Sequence, residues 1–327
     1  MTHRVRHTAL VALALILTLA TPASADPPGP TDFKTVVTSI SPSTDSFEIE
    51  IIGGDSFVLL KHLDDSTIDV LGYNGEPYLR FLPGGIVEQN RLSPATYLNE
   101  ERFGDTIPDF ADPTAAPEWE QIDDDGSFAW HDHRAHLMTD PPINTRPGDQ
   151  VTDQVIPVLV DGEPIAIAVV STWQTAPSSI PFAVGALAGV VAALVVWRNR
   201  TVVSAGLALA GVIALILGAI QYQSVPTETG PSITLIALPL VALAVAFGAV
   251  ATKDRPATAL PLAIGSAAAL IAFAVLRLPG ARKAILPTDF SMPLDRGLST
   301  FVAVVGLGGL IAAGASFAHL MRGEPAG

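Results

Sequence analysis

From residue 177 onward the chain is dominated by five apolar runs, at about 180–197, 202–220, 233–251, 258–276 and 298–320. An α-helix needs ~20 apolar residues to cross the hydrocarbon of a bilayer. In lipid the backbone can be satisfied only within helices or a closed barrel. The expected C-terminal half, 177–323, is therefore an all-α bundle of five transmembrane helices, with the lipid bilayer as its first partner. None of the runs has Asp, Glu, Lys or Arg in its interior, and His319 lies near an end. Ionisable groups inside a membrane mark proton relays and ion paths, so a pump or ion-coupled transporter is not expected. Gly306, Gly308, Gly309 and Gly314 would let helices approach closely.

The other half belongs to a different solvent. Residues 26–177 carry 27 Asp and Glu against 7 Lys and Arg. That balance excludes nucleic acid, whose phosphates need a basic surface. Before it stands a basic stretch with Arg4 and Arg6, an apolar run, and Ala23-Ser24-Ala25, which is the pattern of a secretory signal peptide, 1–25. Export would put residues 26–176 outside the cytoplasmic membrane and the C-terminus in the cytoplasm. Arg198, Arg200, Lys253, Arg255 and Arg322 then fall inside, while Arg277, Arg282, Lys283 and Arg296 fall outside, a thin margin for the positive-inside tendency.

Between residues 34 and 82 the pattern has period two. In Phe47-Glu48-Ile49-Glu50-Ile51 the apolar side chains take one face and the acids the other. Further short strands are expected at 56–61, 68–73 and 78–82, punctuated by Gly53-Gly54-Asp55, Asn74-Gly75 and Pro83-Gly84-Gly85. A hairpin around Asp161-Gly162 joins 151–160 to 165–173. The expectation is an all-β, immunoglobulin-like sandwich. A long polar loop at 92–121 interrupts it, and loops of that length are commonly functional.

The chain's chemistry gathers in 128–138, FAWHDHRAHLM, where three of the seven histidines, His131, His133 and His136, fall within six positions. On a strand His131 and His133 would share a face, with His136 opposite unless a turn after Arg134 brings it round. Imidazole nitrogens suit copper or zinc. Cysteine is absent, so an exported metal site would have to be built from such residues. Against this, Trp130 could simply point inward and Asp132 could pair with Arg134. Met138 and Met292 are weak soft-ligand candidates, and His62 is read as an ordinary strand residue. Asp123-x-Asp125-x-Ser127 opens like a calcium loop, but Arg134 stands where a bidentate Glu belongs, so a plain acidic turn is expected. No GxSxG, HExxH or phosphate-loop motif occurs, and no catalytic residue is assigned. The segment 72–81, GYNGEPYLRF, is read as a tight hairpin with aromatic pairs, or as a ligand or partner surface beside the histidines.

GYNGEPYLRF, LSPATYLNEERFG and FAWHDHRAHLM, followed by a terminal hairpin and membrane spans, resemble a group of bacterial, actinobacterial-type exported membrane proteins with a WHDHRxH motif. The resemblance implies membrane residence and no particular activity. A fainter similarity links the hairpin at 150–172 to the closing strands of CopC-type copper-binding β-sandwich domains. Glu163 stands where that family places histidine, so no ligand is transferred. The expected protein is a non-enzymatic, membrane-anchored surface protein whose outer domain binds a ligand, with copper at His131, His133 and His136. The alternative is a structural protein, or one that binds another membrane protein, with no metal site.

Overall fold

The structure is a computed structural model that describes residues 28–197 and 200–323. The expected signal peptide lies outside the described residues.

The β domain is built from β1 (Phe33–Ser41), β2 (Phe47–Ile52), β3 (Phe57–His62), β4 (Ile68–Leu71), β5 (Pro77–Phe81), β6 (Val87–Asn90), a one-turn helix α1 (Pro94–Leu98), β7 (Trp119–Asp123), β8 (Ser127–Trp130), β9 (Gln150–Val160) and β10 (Glu163–Trp173). One sheet runs β1-β10-β9-β4-β5-β6-β7 and the other β2-β3-β8, and both are antiparallel. Period-two alternation makes each sheet apolar on one side. Phe47, Val58, Leu60 and Trp130 of the smaller sheet share a core with Ile68, Leu79, Phe81, Ile156, Val158 and Ile167 of the larger. The β9–β10 hairpin turns at Asp161 and Gly162, with φ of 50° and 84°. Two successive positive φ values match the twist of the strands they join.

Five apolar helices follow: α2 (Ile180–Trp197), α3 (Arg200–Gln223), α4 (Thr234–Ala251), α5 (Pro256–Leu276) and α6 (Met292–Met321). Four have the length and composition to cross a membrane, within Val202–Gln223, Thr234–Ala251, Pro256–Leu276 and Met292–Met321. Of the five expected spans, α2 is the one outside this set. Among the described residues the apolar stretch of the remaining helix is Ile180–Val195, shorter than the other four.

α6 is the axis of the bundle, packing on α2, α3 and α5, while α4 packs on α3 and α5. Small residues make the crossings close, as expected. A Cβ at Gly185 would strike the carbonyl of Gly297, and one at Gly218 the carbonyl of Leu235. Gly306 meets Leu270, Gly308 meets Ala193 and Gly309 meets Leu207, whereas Gly314 faces open space.

The β domain is fastened to the bundle at two loops. Thr31 forms a two-way backbone bridge with Ile285, its N–H donating over 3.1 Å and its carbonyl accepting over 2.8 Å. Lys283 Nζ lies 2.7 Å from Asp32, whose other oxygen accepts the Ala284 N–H at 3.0 Å. Between α3 and α4, Glu228 accepts the N–H of Ala129 at 3.0 Å. Gly54 has φ +84°, and a Cβ there would strike Thr31 and Ile285, so the β2–β3 turn lies directly on this seam.

Candidate functional site

The strand β8 ends at Trp130, paired with Val58 of β3, and the chain then folds into a turn in which Ala135 N–H donates to Asp132 O over 2.8 Å. Strand alternation therefore does not govern the histidines. The turn returns His136 to the side of the other two: its ring centre is 5.4 Å from that of His133 and 6.4 Å from that of His131. His136, read from alternation as the uncertain third, is the ring that meets both others.

Asp132 and Arg134 hold the turn. Asp132 is fully buried, and Arg134 grips it with Nε on Oδ1 and Nη2 on Oδ2, both at 2.8 Å. Trp130 Nε1 donates to the same carboxylate at 3.0 Å, and the Arg134 Nη groups donate to Leu71 O at 3.1 Å. Burial opposes ionisation of Asp132. The Arg134 charge, these bonds and the indole outweigh it and hold the carboxyl below its usual range. These two residues of the motif form a structural clasp.

The histidine rings are oriented by backbone carbonyls. His131 Nδ1 lies 2.7 Å from Ser56 O, and the ring stacks on Phe57 at 4.0 Å. His136 Nε2 lies 2.5 Å from Arg102 O. The carbonyls of Leu98 and Glu101 act on His133, whose backbone N–H donates to the Tyr73 hydroxyl at 2.9 Å. Tyr73 stacks on His133 at 5.5 Å, so the two distinctive sequence patches do meet. A carbonyl can only accept, so the ring nitrogen facing it carries the hydrogen and the other nitrogen of a neutral imidazole keeps a lone pair. Burial holds His136 down to about 3, with Arg102, His133 and His131 adding to the effect. Burial likewise lowers His133.

Sequence reasoning missed Arg102 and Asp55. Arg102 is the one basic residue in 92–121, which was the available signal. Its carbonyl receives His136, while its side chain reaches fully buried Asp55 at 2.6 Å and Ser56 Oγ at 3.0 Å. Burial pushes the Asp55 carboxyl up, against the pull of Arg102. Seven buried side-chain polar atoms have no hydrogen-bond partner among the described residues, and five of them sit on Asp55, Asn99, His133 and His136. Although Asp55 Oδ1 is close to Arg102, it lacks an aligned bond. His133 Nε2 and His136 Nδ1 are both among the five. Orphans are rare in native interiors, so their concentration marks this corner.

The remaining expectations divide. Among the described residues no group of three or more His, Asp or Glu is arranged to hold a metal ion. Met138 is exposed, and the Met292 sulfur instead faces the Leu286 N–H at 3.4 Å in the α5–α6 loop. Neither joins the cluster. His62 pairs with Asp64 at 3.4 Å, and Asp123 accepts the N–H groups of Asp124 and Asp125, forming the acidic turn expected.

A pH test follows from His136. An unfolded histidine titrates near ~6.5, and the folded one only near about 3. Between those values the unfolded chain binds the extra proton, so folding stability falls as pH drops. By pH 5 the loss is about 2 kcal/mol. Chemical denaturation of the metal-free protein at pH 7 and pH 5 measures it. His136→Gln should flatten that slope, and an unchanged slope would remove His136 as its source.

No protein-family model, curated protein or solved structure matches this chain.

Proposed function

We propose that the protein is a membrane-anchored, non-enzymatic receptor whose β domain binds one soft metal ion, Cu(I), between His133 and His136, with His131 at the margin. The observation that carries this is the pair of partnerless imidazole nitrogens, His133 Nε2 and His136 Nδ1, on rings 5.4 Å apart. Both rings are neutral at physiological pH, the state in which imidazole ligates. The Arg102 carbonyl on His136 Nε2 is the usual support of a metal-bound histidine. A two-imidazole donor set is meagre for an ion that demands four ligands, as zinc does.

The same reading takes the β domain as an immunoglobulin-like sandwich outside the cytoplasmic membrane, exported by a signal peptide, and counts α2 as a fifth crossing. At 1.5 Å per residue an 18-residue helix is about 27 Å long, close to the ~30 Å core. The loops touching the β domain then lie outside. Three of the four basic residues that weakened the charge rule are engaged there: Arg277 with Asp295, Lys283 with Asp32, and Arg296 with loop carbonyls.

Competition titration of the full chain in detergent tests the site. One Cu(I) per chain is expected, with affinity falling by at least about 100-fold in His133→Ala and His136→Ala. Binding that survives both substitutions sinks the reading. The second reading, a structural or partner-binding protein, is favoured by the lack of any three-ligand group. It expects both substitutions to lower stability and no stoichiometric Cu(I) at all.

A further inference from the structure

The bundle holds a second site at the end that meets the β domain. There α2, α5 and α6 leave a cavity of about 440 Å³. Phe182, Ile271, Val275 and Leu307 give it apolar walls, and Pro30 and Leu286 border it from the β-domain side. Its polar end is a charged network. Arg277 places Nη2 on both oxygens of Asp295, at 2.6 and 2.5 Å, with Nε on Ser299 Oγ at 3.0 Å and Nη1 on Gln221 Oε1. Arg296 is only 7% exposed and, among the described residues, has no ion-pair partner. Its Nη2 donates to the carbonyls of Lys283 and Ala284 at 2.7 and 2.9 Å.

Arg277 is paired with the Asp295 carboxylate and Arg296 lines the same cavity without an acidic partner among the described residues, which leaves one cationic charge in excess at the head of an apolar trough. A purely apolar ligand would leave that charge uncompensated, and a free phosphate would leave the walls unused. Basic pockets between membrane helices suit anionic head groups, and the volume falls within the usual range for ligand sites. We propose that the cavity holds one anionic phospholipid, its phosphate toward Arg296 and an acyl chain along Ile271, Val275 and Leu307. The histidine cluster plays no part in this.

Native mass spectrometry of the delipidated full chain tests it, with phosphatidylglycerol and phosphatidylcholine of identical acyl chains as probes. Wild type should retain one phosphatidylglycerol per chain, about tenfold tighter than phosphatidylcholine. Arg296→Gln should erase that preference, and Ala303→Phe, which fills the trough, should release both lipids. Equal retention of the two lipids by wild type overturns the proposal, and this comparison stands even where a variant fails to fold. A preference unchanged in folded Arg296→Gln also overturns it. So does glycerol phosphate competing as well as the intact lipid, because the trough would then be idle.

Discussion

Arg134→Ala is expected to destabilise the β domain by about 3–5 kcal/mol, the range for removing one partner of a buried ion pair. Asp132 has no exposed surface, and the Arg134 side chain has 12%. The substitution strands a carboxylate whose remaining side-chain donor is Trp130 Nε1. It also takes both guanidinium donors from Leu71 O, at the end of β4. For a domain of this size the midpoint should fall by about 10 °C or more. Thermal melts of the full chain in detergent, followed by Trp fluorescence, give the measurement. The double variant Asp132→Leu/Arg134→Met should cost less than Arg134→Ala, because it leaves no unpaired charge. A single-variant loss below about 1 kcal/mol would mean that the pair behaves as a solvated surface bridge.

Asp295→Ala should be comparably severe in the bundle, again about 3–5 kcal/mol. Asp295 is 2% exposed and is the carboxylate that Arg277 clamps. Without it two guanidinium groups share one partly apolar cavity with no counter-charge. Arg277 keeps only Gln221 and Ser299 as neutral acceptors. Asp295→Asn should recover part of the loss by keeping one accepting oxygen for Arg277 without the charge. The readout is the aggregation temperature of the detergent-solubilised protein. If Asp295→Ala melts with the wild type, water reaches the network and the pair contributes little.

Much of the β domain could be read from period-two alternation, because a strand with one buried face must alternate. Gly53, Gly54, Gly75, Asp161 and Gly162 marked turns, since their positive φ is open mainly to Gly, Asn and Asp. The division of the strands between a seven-stranded and a three-stranded sheet had no such signal. Pairing joins residues far apart in sequence, as in β1 with β10 and β3 with β8. The helices were legible as apolar runs, but α6 begins before the run does. Its first turns carry Asp295 and Arg296, which are buried by neighbours that a window on one segment cannot register.

In the candidate site the sequence by itself determined that three imidazoles would lie within a few residues of one another and that no cysteine would join them. It also supplied the Asp132–Arg134 pair, because residues two apart in a turn readily meet. Only the tertiary structure decided which rings approach. A turn replaced the strand after Trp130, and His136 came round to face both His131 and His133. Only the fold brought in Asp55 from the β2–β3 turn, and Asn99 and Arg102 from the connection between α1 and β7. The physical reason is that an orphaned nitrogen or an uncompensated charge is defined by what surrounds it. The sequence lists the groups, and packing determines which of them are left without partners.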